Sequence, residues 1–134
     1  MNTLKKRKSG KKGFTLMEML IVVAIIGILI AIMIPTFSNA LTKARISADE
    51  ANLRSYYATT ITDHMLNETT LDATTIKGDG KSVTIDGTKY TLQAGSFDVT
   101  LSADGETFTI TYTPTNAKYD KVTIPGGATT EQGK

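Results

Sequence analysis

Glu18 is the side chain most out of keeping with its surroundings. It stands directly before residues 19–34, MLIVVAIIGILIAIMI, a run without one polar side chain. A carboxylate at the centre of a membrane helix costs on the order of 3 kcal/mol, and ionisable residues in such segments are functional by default. The plainer alternative keeps Glu18 in the headgroup zone at the end of the span. Other candidates for chemistry are few. His64 is the only histidine and there is no cysteine. That excludes a disulfide scaffold, Cys-ligated zinc and a thiol nucleophile, and argues against a multi-His metal site. No Ser or Cys can be placed beside His64 from the sequence, and an imidazolium near the end of a helix suits its dipole, so a surface or capping role is expected. Asp79, Asp86 and Asp104 each precede glycine, with Glu106 close by. They lack the D-x-[DN]-x-[DN]-G spacing of a calcium loop and fit turn chemistry. Asn67-Glu68-Thr69 matches the N-glycosylation pattern, a short motif with many chance occurrences. The expectation is no catalytic residue, no metal and no cofactor.

The element that must position Glu18 is a membrane-length helix. Phe14 to Ile34 would span about 31 Å at ~1.5 Å per residue, against a hydrocarbon core about 30 Å thick. The formal net charge of +2 hides a division: residues 1–13 carry +6 and the remainder −4. The basic block (Lys5, Lys6, Arg7, Lys8, Lys11 and Lys12) outweighs Lys43 and Arg45 on the far side, so the N-terminus is expected in the cytoplasm and the C-terminal part across the membrane. The basic excess is confined to one end, which points to the cytoplasmic membrane face and not to nucleic acid. Ser38-Asn39-Ala40 also resembles an ordinary secretory cleavage site, although the apolar run is long for such a signal.

Lys11-Lys12-Gly13-Phe14-Thr15-Leu16-Met17-Glu18 and the unbroken apolar run after it resemble the class III signal of type IV pilins and related filament proteins. The resemblance covers residues 9–40 and ends beyond Pro35. It implies a leader, residues 1–13, removed by prepilin peptidase after Gly13, with N-methylation of the new terminus at Phe14. Gly13 offers no side chain to obstruct an extended backbone in a protease cleft. Cleavage would leave an amine at Phe14, four residues from Glu18 and on the same helical face. In the family this glutamate is thought to pair with the amine of a neighbouring subunit; pairing offsets the burial of both charges and helps specify axial register. Gly27 and Pro35 are expected to interrupt the helix, Pro35 by removing a donor and clashing with the preceding turn, and the resemblance implies that residues 27–35 lose helical order during packing.

The fold expected is α+β: a long N-terminal helix over about residues 15–65, packed on a four-stranded antiparallel β-meander. Residues 14–35 form the transmembrane and filament-core part, and residues 36–134 the soluble head. Phe37, Leu41, Ala44, Ala48, Ala51, Ser55, Ala58, Ile61 and Met65 recur at steps of three or four and are the expected sheet-facing stripe. After a connector at 66–80 the period becomes two. Asp86-Gly87 and Asp104-Gly105 mark hairpins, and Ala94-Gly95 is the expected third turn. Their registers place Val83 opposite Tyr90, Val99 opposite Ile110 and Phe97 opposite Tyr112, with threonines on the other face. Residues 118–124 are a further strand candidate, followed by a frayed Gly-Gly-Ala-Thr-Thr tail.

The function implied is structural and not enzymatic: a subunit held in the plasma membrane with its N-terminus cytoplasmic, then packed into an extracellular helical filament of identical chains. Prepilin peptidase, an assembly platform and its ATPase motor are the implied partners, and surface adhesion and twitching motility the implied uses. A type II secretion pseudopilin or a competence pilus subunit shares the leader and stays open as an alternative. A secreted binding domain released after Ala40 is a more distant one.

Overall fold

The computed structural model describes Gly13 and residues 15–126. Seven elements occur among them: α1 (Leu16–Asn67), α2 (Ala73–Lys77), β1 (Ser82–Ile85), β2 (Thr88–Thr91), β3 (Gly95–Leu101), β4 (Phe108–Pro114) and β5 (Val122–Ile124). The chain divides into two units, Met1–Ser38 and Asn39–Lys134. The expected basic leader, Phe14 and the C-terminal tail lie outside the described residues.

In the first unit α1 begins on a reciprocal cap. The Glu18 amide donates to Thr15 Oγ1 at 3.2 Å, and the Thr15 amide donates to Glu18 Oε2 at 3.1 Å. This Thr-x-x-Glu capping box satisfies two amides that the first helical turn leaves without partners. α1 is continuous through Gly27 and Pro35. Thr36 Oγ1 donates to the Ile32 carbonyl at 3.3 Å beside the proline. Every residue described in this unit is exposed.

In the second unit α1 packs through Ile46, Asp49 and Leu53, all buried, with Tyr56, Tyr57 and Ile61 partly buried below them. The expected stripe is therefore corrected. Ala44, Ala48, Ala51, Ser55, Ala58 and Met65 are exposed, and of that series only Ile61 reaches the core. The helix turns its large side chains inward because burial stabilises by roughly 25 cal/mol per Å² of apolar surface, and alanines bring little. Tyr57 packs at a tilt against Phe108 at 4.9 Å between ring centroids and Tyr56 meets Phe97 edge-on at 6.5 Å.

Five strands form two sheets, β1-β2 and β3-β4-β5, in place of the single meander. The two Asp-Gly hairpins take the expected registers: Val83↔Tyr90 and Ile85↔Thr88 in one, Phe97↔Tyr112, Val99↔Ile110 and Leu101↔Phe108 in the other. Asp86 and Gly87 both have positive φ, 47° and 78°, as a two-residue type I′ turn requires. The second hairpin closes differently: Gly105 N donates to Ser102 O, so the reversal spans Ser102–Gly105. The third expected hairpin, at Ala94-Gly95, does not form. The amides that would pair β2 with β3 are used elsewhere: Leu92 N donates to Lys81 O, Phe97 N to Gly80 O, and Gln93 and Ala94 to Asp49. β2 is exposed along its length, Tyr90 included. Thr84, Thr91, Asp98, Thr100 and Thr109 face solvent as the alternation demands. β5 is shorter than expected and pairs with β4 at Ile110↔Ile124 and Tyr112↔Val122. Within the connector, Asp72 caps α2: its Oδ1 accepts from Thr74 N at 3.1 Å and its Oδ2 from Thr75 Oγ1 at 2.7 Å.

Candidate functional site

Two regions bear on function, one in each unit. The first is the start of α1. Gly13 is exposed, Glu18 occupies the third helical position opposite Thr15, and Phe14 lies outside the described residues. From Leu16 to Phe37 the large apolar side chains are all exposed, Leu16 at 79% and Phe37 at 65%. The helix is long and apolar enough to cross a membrane. Glu18 is thus presented at the N-terminal end of an uncovered apolar rod. Its carboxylate is held by one backbone amide, with further lone pairs open to a second donor.

The second region is centred on Asp49, which lies outside the stripe expected from the sequence. Asp49 is 1% exposed. It accepts from Gln93 N at 2.9 and 3.1 Å, from Ala94 N at 2.8 Å and from the Tyr112 hydroxyl at 2.8 Å. One carboxylate on α1 therefore holds the β2–β3 link and the centre of β4 together. Burial pushes the Tyr112 phenol well above its usual range, and the hydrogen bond to Asp49 and the negative charges of Asp49 and Glu50 push the same way. The signal available in the sequence was position: Asp49 lies three residues after Ile46 and four before Leu53, so a helix that buries both must bury Asp49 with them.

Gly95 belongs to the same region. A Cβ there would stand 2.5 Å from the Thr113 carbonyl oxygen and 2.7 Å from the Tyr112 ring. Gly95→Ala is expected to lower the head's stability by about 2 kcal/mol through overpacking, seen as a reduced melting temperature by circular dichroism; an unchanged midpoint would refute the close packing.

His64 closes α1 as a contact residue. Nδ1 meets the Thr69 carbonyl and Nε2 lies 3.5 Å from Glu106 Oε2. The Asp-Gly aspartates make turns: Asp79 accepts from Lys81 N and Ser82 N, both at 2.8 Å, and Asp104 from Glu106 N at 3.0 Å and from the Ser102 hydroxyl. No group of three possible metal ligands occurs among the described residues.

These hydrogen bonds set an acid limit. The Thr75 hydroxyl holds the Asp72 carboxyl below its ordinary value, the Lys81 amide that of Asp79, the Lys77 ammonium that of Asp98, and the Ser102 hydroxyl that of Asp104. Folded values below unfolded ones give stability that is present above the unfolded aspartate range and lost as pH falls through the folded values. Melting temperature is expected to be level between pH 7 and about 5 and to decline below about 4. Exposure keeps the effect small. A midpoint that rises on acidification would contradict it.

Among the described residues, the large uncovered apolar surface is the helix that begins at the Thr15–Glu18 cap. Residues 8–34 match the prokaryotic N-terminal methylation motif. The chain is 37% identical over 102 residues to the type IV narrow pilus major component PilA5 of Thermus thermophilus, covering 74% of this chain and 85% of that one. It is 58% identical over 40 residues to the type IV major fimbrial protein FimA of Dichelobacter nodosus, and 50% identical over 46 residues to the type IV major pilin PilA of Myxococcus xanthus. Those two matches span 26% and 21% of the respective relatives. No solved structure is a significant match. The chain belongs to the type IV pilin family and is a structural subunit of a pilus.

Proposed function

We propose that this pilin is cut between Gly13 and Phe14, methylated on the Phe14 amine, stored in the plasma membrane with its N-terminus cytoplasmic, and extracted into an extracellular filament as a major subunit. The observation that carries the proposal is the wholly exposed apolar surface of α1 from Leu16 to Phe37. Nothing in the first unit covers it, so either lipid or other copies must. Prepilin peptidase is the expected processing enzyme, because the basic residues before Gly13 hold the scissile bond at the cytoplasmic face. Glu18 is the expected register residue, pairing with the Phe14 amine of a neighbour. The helix is continuous at Gly27 and Pro35 in the single chain; loss of helical order between them is proposed as a step of packing, favoured by the missing proline donor and the ~1 kcal/mol helix penalty of glycine. The exposed Ala44, Ala48, Ala51, Ser55 and Ala58 leave room for close approach by a neighbour. An assembly platform and ATPase supply the extraction.

Mass spectrometry of filaments sheared from cells tests this directly. The expected chain starts at methylated Phe14. A chain starting at Leu41, or one recovered only from membranes and never from filaments, would overturn it.

A further inference from the structure

We infer that the two ends of the head form an electrostatic joint between successive copies of this chain, the carboxylate-rich end of one docking on the basic end of the next. At the end where α1 terminates, Asp63, Asp72 and Asp86 line one open cleft of about 780 Å³ and Glu68 and Glu106 an adjoining one of about 480 Å³. Thr69 and Thr70 belong to both; no Lys or Arg lines either, and His64 in the second lies 3.5 Å from Glu106 Oε2. Asp104 stands in the same turn as Glu106. At the end where α1 enters the head, Lys43 and Arg45 are exposed. The Tyr119 hydroxyl donates to Asn39 O at 3.4 Å and so brings its chain neighbours Lys118 and Asp120 towards that end. Between the ends, Arg54 pairs with Glu50 at 3.8 Å and Lys77 with Asp98 at 3.0 Å.

The separation decides the argument. Lys43 and Asn67 lie roughly 36 Å apart along α1 at ~1.5 Å per residue, several times the ~8 Å Debye length at physiological salt. Neither end can neutralise the other within one head. Self-repulsion among the acidic groups is relieved when a basic surface is brought into contact with them. A heterologous, head-to-tail stack does this with identical chains, because each copy presents its acidic end to the basic end of the copy beyond it. The inference rests on the filament reading and adds a second contact to the helix packing, one that selects polarity: two acidic ends brought together repel.

Charge exchange in the full chain, expressed in cells that make filaments from the unaltered chain, tests the joint. If the unaltered chain makes no filaments, the filament reading itself fails, and the comparison of variants is made only where it does. Asp63→Lys with Glu68→Lys reverses the acidic end at exposed positions, and Lys43→Glu with Arg45→Glu reverses the basic one. Each pair alone is expected to reduce sheared filament by roughly tenfold or more through like-charge contact, and all four together to restore most of the yield. Unaltered yield from both single-ended variants would overturn the inference. So would loss in both without recovery in the fourfold variant, because damage to each head does not cancel.

Discussion

Asp49→Ala is expected to cost the head about 4 kcal/mol of stability. The substitution removes the acceptor of Gln93 N, Ala94 N and the Tyr112 hydroxyl at a position 1% exposed. Each buried donor left without a partner costs about 1–3 kcal/mol. Even if a water recovers one of them, the loss is about 4 kcal/mol, a large share of the 5–15 kcal/mol typical of a domain. Asp49→Asn is expected to fall close behind, because its amide nitrogen would turn a donor towards donors. Tyr112→Phe removes one partner and leaves the carboxylate its two backbone bonds, so about 1 kcal/mol is expected. Urea unfolding of the processed chain in detergent, followed by circular dichroism, gives the order. Midpoints for Asp49→Ala and Tyr112→Phe that match the unaltered chain would show that the clasp contributes nothing net.

The parts of the fold legible in the sequence are those fixed by local chemistry. The apolar run from Met19 to Ile34 marks a membrane-length segment by composition alone, and the two Asp-Gly pairs set hairpin registers that hold in the structure to the residue. What escaped depends on contacts distant in sequence. Asp49 and Ala94 are 45 residues apart, and no local signal shows that a helical carboxylate takes the amides a third hairpin would need. Because those amides were assigned to a turn, the sheet was expected as one meander and not as two sheets. The face of α1 failed for the same reason. An aspartate interrupts the apolar pattern of the buried face at Ile46, Asp49 and Leu53, whereas Ala44, Ala48 and Ala51 form an unbroken series that the structure leaves exposed. The capping box escaped differently. Thr15 and Glu18 have the right spacing for one, but Glu18 already had a stronger explanation in the apolar segment beside it.

That double engagement of Glu18 makes its substitution the most informative at the assembly helix. Glu18→Ala removes both a helix cap and a charge, so loss of filaments from it alone does not say which mattered. Glu18→Gln separates them. A glutamine at the third helical position can still reach back to the Thr15 amide, but it cannot neutralise an ammonium. Thr15→Ala does the reverse: it weakens the cap by about 1 kcal/mol and leaves the charge. If Glu18 sets register by pairing with the Phe14 amine of a neighbour, Glu18→Gln and Glu18→Ala should fail alike. Breaking a buried ion pair costs about 3–5 kcal/mol, so filament yield should drop on the order of a hundredfold or more. Thr15→Ala should still assemble, and all three should be cut after Gly13, since the bond and its basic flank are unaltered. N-terminal mass and the mass of sheared filament read each step separately. Wild-type yield from Glu18→Gln, with loss from Thr15→Ala, would reduce Glu18 to the helix cap seen in the single chain. The carboxylate has room for both roles in turn: its bond to Thr15 is local and exposed, worth little against an unpaired amine arriving in a medium from which water has been excluded.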